Sequence, residues 1–199
     1  MNNWLERICK GSRREKRVLT VAVVVAVLIL LIDQITKWYF VKSFRISESR
    51  PVISPILSFT YVRNTGAAWS LFDGHVWMLF AFGVLTATGI IFFFRKLAEG
   101  CSERYFALLM ILAGIVGNSF DRAFHGSVVD FIHVHYRDVW SYPVFNVADM
   151  AICIGVTIYL ISGFSRGKKE DWRSCVVHRW RESEKWNNPL LLPGSRNMN

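Results

Sequence analysis

Four stretches of this sequence, 18–32, 74–94, 105–120 and 150–164, contain no Asp, Glu, Lys or Arg. That blocking constrains the fold more than any other feature. An apolar share of 52% would by itself suit a soluble protein, but here it is gathered into runs instead of being spread. A hydrocarbon core of roughly 30 Å takes about 20 helical residues to cross. Only 74–94 reaches that length unaided; the other three do so by annexing polar neighbours, 33–40 for the first, Asp121 and Arg122 for the third, and 145–149 for the fourth. The expected fold is an all-α membrane protein with four transmembrane helices, at about 18–40, 75–94, 105–121 and 145–164. Polar residues annexed at membrane depth are costly, and are therefore candidates for function.

The charge distribution predicts an orientation. Of the 24 Lys and Arg, six lie before residue 18 (Arg7, Lys10, Arg13, Arg14, Lys16, Arg17), three lie between the second and third runs (Arg95, Lys96, Arg104), and eight follow residue 164. By the positive-inside bias these segments face the cytoplasm, leaving 41–73 and 121–144 outside despite Lys42, Arg45, Arg50 and Arg63 in the first of these loops. Much of the net +9 is then a collar against anionic lipid, not a nucleic-acid surface. The organisation expected is a basic cytoplasmic extension over 1–17, a membrane domain over 18–164 and a basic cytoplasmic tail over 165–199. Within the tail, Trp172, Val176, Val177 and Trp180 have helix-like spacing suited to lying on the inner leaflet. The first run resembles a secretory signal but is followed by Asp33-Gln34-Ile35-Thr36-Lys37 and no small-residue cleavage site, so it should stay attached. Cys9, Cys101 and Cys175 fall on the cytoplasmic side and Cys153 within a span, so no extracytoplasmic disulfide is expected.

With the N-terminus inside, Asp33 and Lys37 lie in the outer half of the first span, four apart and able to pair. Asn118, Asp121 and Arg122 reach the outer end of the third, Asn146 and Asp149 the outer turns of the fourth, and Asp130 the loop between these two. Structural readings compete for some of them: Asp33 with Lys37 as a packing pair, Asp121 as a cap of the third helix. Asp149, with no basic residue within four positions, is harder to assign to structure. Two neighbouring carboxylates cannot both ionise cheaply, and a pair sharing one proton suits general acid and base work on an amide without a metal. The same cluster, through Asp33, Asp121 and Asp149, could relay protons in a small transporter or channel, and a membrane scaffold is a third class. His133 and His135 would share one strand face, but a third firm metal ligand beside them and His125 is not evident. Neither a G-x-S-x-G elbow nor a Gly-rich phosphate loop is present.

Four patches carry a closer likeness: Asp33 to Lys37; Val62-Arg63-Asn64-Thr65-Gly66-Ala67-Ala68-Trp69-Ser70; Gly117-Asn118-Ser119-Phe120-Asp121-Arg122 running on to Val128-Val129-Asp130-Phe131; and Phe145-Asn146-Val147-Ala148-Asp149. In order, spacing and four-span layout the chain resembles the lipoprotein signal peptidase (signal peptidase II) family, bacterial inner-membrane aspartic peptidases. The resemblance implies removal of the signal peptide from diacylglyceryl-modified prolipoproteins, with Asp130 and Asp149 as the catalytic dyad. It implies a supporting role for Asp33, Lys37, Asn64, Asn118, Asp121, Arg122 and Asn146, a multi-pass inner-membrane location with both termini cytoplasmic, no cofactor, and sensitivity to globomycin. It also implies that the strand-like run from Leu57 to Val62, with its Asn64-Thr65-Gly66 turn, forms a small sheet that cradles substrate. An interfacial flap over about 132–143 would face it, with Tyr136, Trp140 and Tyr142 as a membrane-interface belt.

Overall fold

The computed structural model describes residues 13–67, 69, 71–137 and 139–164. In order, these form α1 (Arg13–Ser43), β1 (Ser49–Ile53), β2 (Leu57–Asn64), α2 (Val76–Ala98), α3 (Ser102–His125), β3 (Val128–Tyr136), β4 (Trp140–Ser141) and α4 (Val147–Phe164). Cys9, Cys175, the tail with its Trp172–Trp180 stripe, and the basic residues before Arg13 lie outside the described residues. Contacts divide the chain into a unit ending at Tyr159 and one beginning at Leu160. The geometry below belongs to the first.

All four helices are long and apolar enough to cross a membrane. The Val-rich composition of α1 is a poor helix former in water, since β-branched side chains lose rotamer freedom against the preceding turn. Lipid overrides that preference, because a spanning backbone must pair every N–H and C=O within its own segment. Its outward residues, among them Val21, Val24, Leu28, Leu31 and Ile35, are exposed, whereas Asp33, Lys37 and Phe40 are buried along one stripe. The arrangement of a soluble helix is thus inverted: apolar side chains face outward and charges inward.

Helix α3 packs against both α1 and α2. It also meets α4 closely: a Cβ at Gly114 would come within 2.4 Å of the Ala148 carbonyl oxygen. Between helices in lipid, where burial gives little driving force, such backbone approach allows the dispersion contacts that hold a bundle together.

At the end where α1 and α3 finish and α2 and α4 begin, the strands form an antiparallel sheet in the order β1-β2-β3-β4. An aromatic cluster joins it to α1, with Phe40 stacked on Phe131 at 4.3 Å and Phe44, Tyr61 and Val129 around them. The register sets Val62 opposite Asp130 and Asn64 opposite Val128. This corrects two local expectations. Asp130 lies inside a strand, not in a loop. The segment 132–143 is not a separate flap either, since 132–136 complete β3, with Ile132, His133 and Val134 paired to Phe59, Ser58 and Leu57. The β-branched and aromatic run around Asp130 favours a strand once β2 satisfies its backbone groups.

Candidate active site

Two local devices bring the polar residues together. The first is the start of α4. Asn146 precedes its first residue, and its side-chain Oδ1 accepts the Asp149 N–H at 2.9 Å, while Asp149 Oδ2 accepts the Asn146 N–H at 3.1 Å. This is a reciprocal capping box, built here from Asn and Asp, and it fixes where the Asp149 carboxylate points. The second is the β2–β3 pairing, which brings the Asn64 side chain to Asp130 Oδ2 at 3.0 Å.

Asn146 then links the two aspartates. Fully buried, it donates through Nδ2 to Asp130 Oδ1 at 2.6 Å, with Asn118 Oδ1 and the Val129 carbonyl as further acceptors. Asn118 in turn donates to Asp149 Oδ1 at 2.7 Å. Behind these lies Lys37, whose ammonium meets Asp33 Oδ2, Asp121 Oδ2 and Asn118 Oδ1, each at 2.9 Å. Three donors thus find three acceptors. Taking Lys37 away would leave two buried carboxylates without their cation, at a cost of about 3–5 kcal/mol. Asp33 uses its other oxygen to accept the Ala148 N–H at 2.9 Å, placing a carboxylate on the positive end of α4. Asp121 accepts the Val129 N–H at 3.2 Å, tying α3 to β3. It is therefore not a cap of α3, a helix closed by Gly126 in a left-handed conformation.

Asp130 and Asp149 both open on a cavity of about 170 Å³, lined also by Asn64, Asn118, Arg122 and Tyr142. Burial, and next the charge of Asp149, push the Asp130 carboxyl up to about 7, against the lowering effect of hydrogen bonds from Asn64 and Asn146. Arg122 donates from Nη2 to the Gly66 carbonyl at 3.0 Å, while its Nε is buried without an acceptor among the described residues. A carboxyl that changes protonation near neutrality, a second carboxylate and an unused guanidinium donor around one cavity are a set suited to acid and base chemistry on a carbonyl.

A family model described as signal peptidase (SPase) II matches residues 25–165, well over half of the chain. The chain belongs to the signal peptidase II family. It is accordingly a membrane peptidase, a hydrolase of peptide bonds. Two solved structures, each of a bacterial membrane enzyme, are similar to this signal peptidase II at 31% and 32% identity. The first match covers 75% of this chain and 91% of the other with a TM-score of 0.70; the second covers 72% and 92% with a TM-score of 0.64.

All nine residues expected at the signal peptidase II site, Asp33, Lys37, Asn64, Asn118, Asp121, Arg122, Asp130, Asn146 and Asp149, fall within this one region. The sequence reading missed Gln34, which donates to Asp33 Oδ2 at 3.0 Å, and the Gly66 carbonyl that holds Arg122. Nothing in the sequence marks a carbonyl as an acceptor for an arginine 56 residues away. His133 and His135 do share a strand face, with rings 4.8 Å apart, and bond to Ser141 and Ser58 at 2.8 Å each. Burial and the neighbouring His135 hold His133 below its ordinary pKa.

Proposed function

We propose that this signal peptidase II cuts the signal peptide from diacylglyceryl-modified prolipoproteins at the outer face of the bacterial inner membrane, with Asp130 and Asp149 as the catalytic dyad. The observation that carries the reading is the pair of carboxylates on one small cavity, one of them titrating near 7. Raised to about 7, Asp130 still carries a proton in about half of the molecules at neutral pH, and in that form it faces the scissile carbonyl as the acid. Asp149 is the base that takes a proton from water as its oxygen attacks the carbonyl carbon. Collapse of the tetrahedral intermediate breaks the C–N bond, and the proton taken from water passes to the leaving nitrogen, the amine of the new N-terminal cysteine. The buried Nε of Arg122 would find its acceptor in a substrate carbonyl, a pairing without which such a donor costs about 1–3 kcal/mol. Asn64, Asn118 and Asn146 aim the carboxylates; Asp33, Lys37 and Asp121 hold the helices that carry them.

A substrate anchored by its own acyl chains presents its scissile bond near the interface. On this reading the ends of α1 and α3, where the carboxylates gather, stand at that level. The basic segments over 1–17 and 165–199 keep both termini cytoplasmic, and globomycin would compete for the same cavity. The test is release of signal peptide from a purified diacylglyceryl-modified precursor. Asp130→Asn and Asp149→Asn should each abolish it in a folded protein, and full turnover by either variant would remove that residue from the dyad.

A further inference from the structure

The peptidase chemistry leaves unused a group of cations on the side of the membrane where the charge bias disfavours them. Lys42 lies in the last turn of α1, and Arg45 and Arg50 follow it closely. All three line one crevice of about 760 Å³ at the junction of α1 and β1. Its one acid is Glu48, and that carboxylate is already engaged: Oε1 accepts from Arg50 Nη2 at 2.7 Å and from Nε at 2.8 Å, and Oε2 accepts the Arg45 N–H at 2.8 Å. Arg50 is also held by the Ser43 carbonyl at 3.3 Å and lies over the Phe44 ring at 4.3 Å. The side chains of Lys42 and Arg45 are exposed and make no hydrogen bond or ion pair among the described residues. Three cations against one acid leave 3 − 1 = +2 in the crevice, carried by Lys42 and Arg45, whose side chains make no hydrogen bond there.

The depth of the crevice is marked by its neighbours. Trp38 and Tyr39, both exposed on α1 one turn earlier, are residue types that settle at the membrane–water boundary. Lys42 comes three to four residues later on the same helix, so a rise of about 1.5 Å per helical residue puts it roughly 5–6 Å beyond, among phosphates rather than acyl chains, and Arg45 follows two residues after the helix ends. Exposed Ile46, Val52, Ile53 and Ile56 on the adjoining segments present apolar surface beside them. We propose that this crevice binds the phosphodiester headgroup of an anionic phospholipid in the leaflet into which α1 emerges. The Arg45 guanidinium can take two phosphate oxygens in a fork, with Lys42 as a point charge beside it. A choline headgroup brings its own cation, which the +2 crevice repels, so the site should discriminate in favour of a headgroup with net negative charge.

The test is a titration of the purified full-length chain in neutral detergent with phosphatidylglycerol or phosphatidylcholine, followed by native mass spectrometry. Wild type should retain phosphatidylglycerol in preference. Lys42→Gln and Arg45→Gln should each weaken it about 5-fold, and together about 30-fold, at about 1 kcal/mol for each cation near the surface, with phosphatidylcholine binding unchanged. Lys42→Arg with Arg45→Lys should keep most of the preference, which a role in folding alone would not predict. Equal retention of the two lipids by wild type, or equal loss of both in the double Gln variant, would overturn the proposal. So would displacement of phosphatidylglycerol by millimolar inorganic phosphate, which would assign the crevice to a soluble anion.

Discussion

Asn146 gives two like residues unequal surroundings. It donates to Asp130 through its amide nitrogen and, through its amide oxygen and backbone N–H, locks Asp149 into the first turn of α4. The resulting asymmetry has a pH signature. The Asp130 carboxyl stands near 7 against an ordinary 3.8, so between these values the folded chain binds a proton that the unfolded chain has released. Its contribution to stability is therefore present at acid pH and is lost as pH rises through about 7. In the proposed dyad its proton is the one that serves the acid, so kcat/KM should fall above about pH 7. Asn64 donates to the charged form and lowers this pKa; Asn64→Ala should therefore move the alkaline limb upward by about one unit, as a pH–rate profile would reveal. An unmoved or lowered limb would detach it from Asp130. At this scale the acids themselves were conspicuous in the sequence, because a charge beside an apolar run is expensive. Their hydrogen-bond partners were not, since an asparagine near a helix end is unremarkable until its acceptor is known.

Among the elements, the meeting of α1, α3 and α4 determines whether the network can close. Gly117 on α3 is where they touch: a Cβ there would lie 2.7 Å from Asp33 Oδ2 and 3.4 Å from the Ala148 Cβ. Asp33 cannot swing aside without giving up Lys37 and the Ala148 N–H. Gly117→Ala should therefore cost about 1–3 kcal/mol and most of the activity, as overpacking in a tight core does. Gly89 on α2 is the matched control, with nothing within 4 Å of an added Cβ, and Gly89→Ala should leave turnover and melting temperature nearly unchanged. Thermal unfolding and precursor cleavage measured side by side would distinguish the two. The helices were legible from their uncharged runs, although α1 runs to Ser43 and α3 to His125, each past the polar residues it annexes. β3 was legible only in part. Asp130 breaks the apolar alternation that announces a strand, and only its pairing with β2 reveals why a charge belongs there.

For the whole molecule, the charge pattern makes an independent prediction. Six cations before residue 18, three at the facing ends of α2 and α3 (Arg95, Lys96, Arg104) and eight after residue 164 should hold all three segments in the cytoplasm. A phosphatase reporter fused after Phe164 should be inactive there and a cytoplasmic reporter active; the reverse would put the site on the wrong face for a lipid-anchored precursor. Span number is set by a sum over many residues, the total apolar length, so the sequence by itself determined it; the expected orientation rests on a sum of the same kind, the balance of Lys and Arg. It also determined which acids lie beside a span, because hydration energy makes that placement costly wherever it occurs. What only the tertiary structure decided is which groups meet: Asp33 with the start of α4 across 115 residues, Lys37 with Asp121, Asn64 with Asp130, and Arg122 with a loop carbonyl. Hydrogen bonds act over about 3 Å and depend on direction, and no periodicity along a chain encodes the distance between residues that far apart.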